Sequence, residues 1–251
     1  MTLHLHTKAL VLRETAYKES DKILTLLTQE QGKLTASARG CRRKGSPLAA
    51  GSQLLVWSDF ILYEYQGRWS VKEAEVEREF RGMREDLDKF SLGCYFGEVT
   101  QALALEGLPS PELLSLILNS LHALDRLDRP LALVKGAFEL RAMCLAGYEP
   151  VLDACAVCGC QPEEPRFHLR EGVLHCARCR GEVGDGVSMP LDQGALAAMR
   201  HVAYGDPKRL FSFQLEEKSL SAFADVAEAY LLTQLERGFS TLDFYKSLRL
   251  S

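Results

Sequence analysis

None of the apolar runs in these 251 residues approaches the ~20 needed to cross a bilayer. The opening Met1-Thr-Leu-His-Leu-His-Thr-Lys8 also lacks the apolar core of a signal peptide, so the expectation is a cytoplasmic protein with no membrane partner. Signatures of catalysis are missing too. There is no Gly-x-Ser-x-Gly, His-Glu-x-x-His or Gly-x-Gly-x-x-Gly, and the six histidines are dispersed. Gly32-Lys-Leu-Thr35 superficially matches the end of a phosphate loop, but the upstream glycine and the strand-to-helix setting are absent. No internal repeat or low-complexity segment interrupts the chain.

What is present is an ordinary globular composition, 47% apolar, ample for a packed core. The net charge of −4 hides an asymmetry. Residues 1–70 carry ten Lys and Arg against six Asp and Glu, an excess of +4, and the remainder carries −8. An acidic total argues against a purely electrostatic nucleic-acid coat, while a basic patch on one domain is the footprint that matters.

Residues 8–80 read as five strands bounded by turn residues: Lys8–Arg13, Asp21–Thr28, Gly32–Arg39, Leu54–Tyr65 and Arg68–Phe80. A long loop separates the third from the fourth, an order that suits a small Greek-key barrel of OB type. From Met83 the period becomes helical, up to Glu106-Gly107. A second helix starts at Ser110-Pro-Glu, a third at Pro130, and further helices are predicted over 192–204 and 219–237, with a short one from Thr241. The Gly-rich exit segment Gly181–Pro190 is too loose for a helix. The fold class is therefore α+β: an OB-fold barrel over residues 1–80, then a helical domain over 81–251, interrupted at 151–190.

The interruption is Cys155-Ala-Val-Cys158 and, after seventeen residues, Cys176-Ala-Arg-Cys179. Two Cys-x-x-Cys knuckles aim four thiolates at one ion, and the spacing is that of a zinc ribbon, giving one structural Zn²⁺ held by Cys155, Cys158, Cys176 and Cys179. Four thiolates leave no open position, so the metal holds structure and does no chemistry. Cys160 is an alternative ligand, set aside because Cys155 with Cys158 repeats the spacing of Cys176 with Cys179. Arg166–Arg170 and Gly172–His175 read as a hairpin joining the knuckles, with His168 and His175 as hairpin residues. Cys41, Cys94 and Cys144 read as incidental thiols.

The densest basic group is Lys33, Arg39, Arg42, Arg43 and Lys44, with Lys33 and Arg39 on the strand face opposite Leu34, Ala36 and Ala38. Such clustering suits sequence-independent, salt-sensitive phosphate binding. Trp57, Phe60, Tyr63, Tyr65 and Trp69 are read mainly as packing, and Glu73, Glu75, Glu77 and Glu79 as a solvent-facing acidic stripe that repels DNA.

Tyr17-Lys-Glu-Ser-Asp-Lys-Ile-Leu-Thr-Leu-Leu-Thr28, Gly32-Lys-Leu-Thr-Ala-Ser-Ala-Arg-Gly40, Phe138-Glu-Leu-Arg-Ala-Met-Cys-Leu-Ala-Gly-Tyr-Glu-Pro150 and Cys155-Ala-Val-Cys158 together resemble the bacterial recombination mediator family RecO. The resemblance covers nearly the whole chain. It implies a non-enzymatic, nucleoid-associated protein that binds single- and double-stranded DNA and anneals complementary strands. With RecR, and RecF in some lineages, it helps load RecA onto strands coated by single-strand-binding protein. By position, the DNA-contacting residues are Lys33, Arg39, Arg42, Arg43 and Lys44. Lys135 and Arg141 are candidates for holding the acidic tail of single-strand-binding protein. The alternative is a zinc-stabilised adaptor that binds only protein.

Overall fold

A computed structural model describes residues 3–182 and 184–249; Met1, Thr2, Val183, Leu250 and Ser251 lie outside the described residues, Val183 within the expected exit segment. The chain forms two compact units, residues 1–126 with 239–251, and residues 127–238. Among the described residues no helix is long and apolar enough to cross a membrane.

The first unit holds a closed barrel of β1 (Leu3–Tyr17), β2 (Asp21–Thr28), β3 (Gly32–Ala38), β4 (Trp57–Tyr65) and β5 (Arg68–Arg78), in the order β1-β2-β3-β5-β4. Within the barrel every described strand pairing is antiparallel except β3 with β5, where Ala36 faces Trp69 and Ser37 faces Ser70. Period-two alternation aims Leu34, Ala36 and Ala38 inward from β3, against Leu24, Leu26 and Phe60. The outward row is Lys33, Thr35, Ser37 and Arg39, as the sequence predicts.

β1 is far longer than the six residues expected, because it serves two partners: Leu3–Leu10 pairs with β4 and Ala9–Tyr17 with β2, across an irregularity between Val11 and Arg13. Its C-terminal end, Glu14–Tyr17, is polar or exposed and carries no core pattern, while in the N-terminal end Leu5 packs on the core and Thr7 is buried. β4 starts at Trp57, not Leu54, because Leu55 sits at φ 58 and its N–H donates to the carbonyl of Val11 at 2.8 Å, turning the chain before the strand begins.

The helical stretch from Met83 is broken into α1 (Arg81–Arg84) and α2 (Leu87–Leu103) by Asp86, whose side chain accepts the Lys89 N–H and caps α2. α3 (Pro111–Arg126) follows. Between α2 and α3, residues 105–107 lie on the start of β3: the Lys33 N–H donates to the Leu105 carbonyl at 3.2 Å, and the Gly107 N–H to that of Lys33 at 3.2 Å. Gly32, at φ 60, is required there, since a Cβ would stand 2.0 Å from the Leu108 carbonyl oxygen. The last helix, α7 (Ser240–Leu248), joins this same unit: the Thr241 N–H and hydroxyl both donate to Glu98 of α2, at 3.2 and 2.5 Å, and Phe239 meets Tyr95 edge-on.

The second unit packs α4 (Leu131–Leu145), α5 (Gln193–Tyr204) and α6 (Glu217–Leu235) with a small sheet of β6 (Val151–Cys155), β7 (Arg166–His168), β8 (Val173–His175) and β9 (Ser188–Pro190), ordered β6-β8-β7-β9. Gly147, at φ 90, ends α4, letting the Tyr148 N–H return to the Met143 carbonyl at 2.9 Å. Lys135 of α4 is buried between Glu139 at 2.9 Å and Glu228 of α6 at 2.7 Å. Burial works to lower its pKa, but the two carboxylates outweigh it and hold the ammonium above its ordinary value. Arg141 donates to the carbonyls of Val202 and Ala203 near the end of α5. Both cations expected to hold an acidic tail are thus engaged inside their own unit.

Candidate nucleic-acid interface and metal centre

The barrel ladders bring five chain positions to one end. Tyr17 faces Asp21, Lys22 faces Ala38, Ser37 faces Ser70 and Tyr65 faces Arg68, so the β1–β2 turn, the exit of β3 and the β4–β5 turn share that end. Between them lies a cleft of about 660 Å³ whose walls include Tyr17, Lys18, Ser37, Arg39, Arg68 and Trp69. Arg39 is one of the residues predicted from sequence. Lys18, Arg68 and Tyr17 were missed, because they are scattered along the chain and only the placement of turns unites them.

The loop after β3 is fastened to this end. The Gly40 N–H donates to Asp21 Oδ1 at 2.8 Å and the Arg42 N–H to the Ser20 carbonyl at 3.0 Å. Arg43 and Ser46 then close successive turns by donating to the carbonyls of Gly40 and Arg43. Arg42, Arg43 and Lys44 consequently stand exposed beside the cleft. The Gly40 N–H is the chief reason the Asp21 carboxyl lies below its ordinary range, with Ser20, Lys18 and Arg39 assisting.

Lys33 is placed differently. It lies at the opposite end of β3 from Arg39, about 20 Å away at strand rise, and its Nζ donates to the Gln101 carbonyl in the last turn of α2 at 3.0 Å. The acidic stripe also runs towards the far end, where Asp59 faces Glu75 and Trp57 faces Arg78. Cations meet most of it: Glu77 pairs with Lys8 at 2.8 Å, Glu79 with Arg81 at 2.6 Å and Glu73 with Lys72 at 3.8 Å. Of the aromatics, Phe60 is core, Trp69 is half-buried against the core, and Tyr17 and Tyr65 are exposed.

The metal centre is built by parallel strands. The predicted hairpin is β7 (Arg166–His168) with β8 (Val173–His175), Arg166 facing His175. Two further strands that sequence reasoning did not find complete the sheet: β6 (Val151–Cys155), parallel to β8, and β9 (Ser188–Pro190), beside β7. Each is short and bounded by irregular backbone, leaving little periodicity to read. Parallel β6 and β8 run side by side and deliver Cys155 and Cys176 from their ends at one edge. Arg200 of α5 fixes β6 by donating to the Leu152 and Asp153 carbonyls, and Tyr204 donates to that of Pro150. His168 and His175 are buried strand residues: His175 Nε2 lies 2.8 Å from Ser188 Oγ, and His168 Nδ1 accepts the Glu171 N–H.

The sulfurs of Cys155, Cys158, Cys160 and Cys176 all lie within 4.8 Å of one another. Cys179, the fourth ligand expected from spacing, is buried against Cys155 and Cys176, and Cys160, set aside on spacing, joins the cluster. A tetrahedron with bonds of about 2.3 Å has edges of about 3.8 Å, and Cys158 Sγ lies 3.8 Å from Cys176 Sγ. The donor set therefore fits a thiolate-bound ion. Backbone N–H groups, that of Cys179 foremost, lower the Cys176 thiol to about 6. Cys155 is lowered too: burial opposes this, but N–H groups of Cys158, Cys176 and Val157 prevail. The Cys158 side chain pushes Cys160 up to about 11, and burial pushes Cys179 up.

These features define a class: an OB-type barrel with a basic, aromatic-lined end, followed by helices and a cysteine ribbon able to hold a metal. The chain belongs to the recombination protein O family of DNA repair proteins, matching its N-terminal profile over residues 1–80 and its C-terminal profile over residues 84–243. It is 32% identical to the DNA repair protein RecO of Acetivibrio thermocellus, across 98% of this chain and 97% of that protein. It is also 32% identical to the RecO of Symbiobacterium thermophilum, over 96% of each, and 30% identical to that of Bacillus pumilus, over 90% of this chain and 87% of that protein.

Proposed function

We propose that the protein is a DNA-binding recombination mediator that acts by holding strands rather than by bond chemistry, with residues 1–80 as its DNA-binding domain. The observation that carries this is the gathering of Lys18, Arg39 and Arg68 around one cleft, with Tyr17 and Trp69 in its wall and Arg42, Arg43 and Lys44 beside it. Cations on three separate segments neutralise phosphates without reading bases, and exposed ring faces accept any base by stacking. Arg39, Arg42, Arg43 and Lys44 form the DNA-contacting group, with Lys33 contributing from the same outward row of β3. Backbone recognition of this kind leaves base edges free, which is what pairing two complementary strands requires.

On this reading the protein binds single- and double-stranded DNA, anneals complementary strands and, with RecR and in some lineages RecF, helps load RecA onto strands covered by single-strand-binding protein. It works in the cytoplasm at the nucleoid. The helical remainder, 81–251, serves partner proteins and carries one structural Zn²⁺ on the ribbon at 151–190, with Cys155, Cys158 and Cys176 among its ligands.

The test is fluorescence anisotropy with a labelled single-stranded oligonucleotide at several salt concentrations. Wild type is expected to bind with a steep salt dependence. In an Arg39/Arg42/Arg43/Lys44→Ala variant that remains folded, the slope should flatten by about 0.7 for every phosphate the protein no longer neutralises. Absence of wild-type binding would transfer the basic end to a protein partner and favour the adaptor.

A further inference from the structure

Five thiols converge at a centre where a tetrahedral ion takes four. Cys155, Cys158, Cys160 and Cys176 form one complete set, each sulfur within 4.8 Å of every other. Cys179 packs with Cys155 and Cys176 in the same buried cluster, which Cys160 joins from its edge. Exchanging Cys160 for Cys179 gives a second set of four drawn from the same buried cluster. The two sets share Cys155, Cys158 and Cys176.

Short backbone hydrogen bonds position both candidates for the fourth place. The Cys160 carbonyl accepts the Cys155 N–H at 2.9 Å, folding the first knuckle back on itself. The Cys179 N–H donates to the Cys176 carbonyl at 3.2 Å within a single tight turn, Ala177–Cys179. Both thiols stand at the edge of the sheet where β6 and β8 end.

We propose that Cys155, Cys158 and Cys176 are permanent ligands and that the fourth position is exchanged between Cys160 and Cys179. The exchange is a substitution without electron transfer. The arriving thiol releases its proton as its sulfur–metal bond forms, and the departing thiolate takes up a proton as its bond breaks, so the charge on the coordinated set is unchanged. One thiol of the ribbon is always free beside a filled site. This rests on the ribbon binding a metal, and the test separates the two ideas.

The experiment titrates Co²⁺, the probe ion, into the full-length chain and into C160S, C179S, C160S/C179S and C176S, reading sulfur-to-cobalt absorption and affinity by competition with a chelating dye. Two exclusive ligands act as two alternative bound states, so the wild-type association constant should equal the sum of those of C160S and C179S. Both single variants should show a four-thiolate spectrum, while the double variant falls to three thiolates and binds as poorly as C176S. If one single variant binds as wild type and the other as weakly as the double variant, the fourth ligand is unique and the proposal fails. A wild type that takes up no ion overturns the metal reading along with it. N-ethylmaleimide labelling of the cobalt-loaded wild type needs no variant: one ribbon thiol per chain should react, divided between Cys160 and Cys179, whereas label confined to one of them defeats the exchange.

Discussion

The barrel end and the thiol cluster solve opposite problems with opposite logic. At the barrel end, Lys18, Arg39, Arg42, Arg43, Lys44 and Arg68 come from separate turns, lie largely in water and act in parallel, so losing one leaves the others in place. In the ribbon, sulfurs converge where they could hold one ion and three of them are buried, so losing one required donor would remove the whole contribution. Distributed charge tolerates substitution and responds smoothly to salt; converging donors give a switch-like dependence on metal. The difference follows from where the free energy comes from: counterion release in small increments against one coordination event.

Removing the metal is the most forceful way to test this contrast. A structural zinc site is worth about 10–16 kcal/mol in small domains, so a strong chelator should open residues 151–190 to limited proteolysis. Oligonucleotide affinity, resting on the barrel end, is expected to stay within about twofold, roughly 0.4 kcal/mol. A parallel loss of DNA binding would break the separation.

Next in size is the contrast between ion pairs. Lys135→Ala removes the buried ammonium shared by Glu139 and Glu228 and should destabilise the protein by about 3–5 kcal/mol in denaturant unfolding. Lys8→Ala, removing an exposed partner of Glu77, should leave the unfolding midpoint nearly unchanged. The Lys135 contribution has a definite pH signature. Its folded pKa is raised above 10.5, so the stabilisation is fully present below that value and is lost as pH rises through the folded pKa. Wild type should therefore lose more stability than Lys135→Ala between neutral and strongly alkaline pH, and parallel curves would contradict the assignment.

The smallest effect sharpens the barrel itself. Arg39→Ala should flatten the salt slope of single-strand binding by about 0.7. Lys33→Ala should do less, because its amine already donates to the end of α2. Equal slopes for the two variants would mean that DNA draws Lys33 away from Gln101.

Much of this was readable in the chain because alternation is a strong signal where one strand face is buried. β2 runs from Asp21 to Thr28 as predicted, and the inward set Leu34, Ala36 and Ala38 fixes the outward row. Illegible features depend on non-local pairing. The ends of β1 take their structure from two different partners, β6 is held by Arg200 and Tyr204 from some 50 residues on, and the cleft exists because three turns meet. Cysteine spacing located the ribbon, and the fold shows what counting Cys-x-x-Cys pairs could not, that Cys160 brings a fifth sulfur to the cluster.

The hydrogen bonds from Thr241 to Glu98 carry one more consequence, for the order of synthesis. α7 belongs with α2, so the chain enters the first unit, leaves it at Arg126, builds residues 127–238, and only then returns. On the ribosome the barrel strands emerge before the ribbon, yet the unit that contains them waits for α7, well after the ribbon's thiols have appeared. A nascent chain halted near Gly238 would hold every cation and every cysteine named above and still lack the helix that closes its first unit.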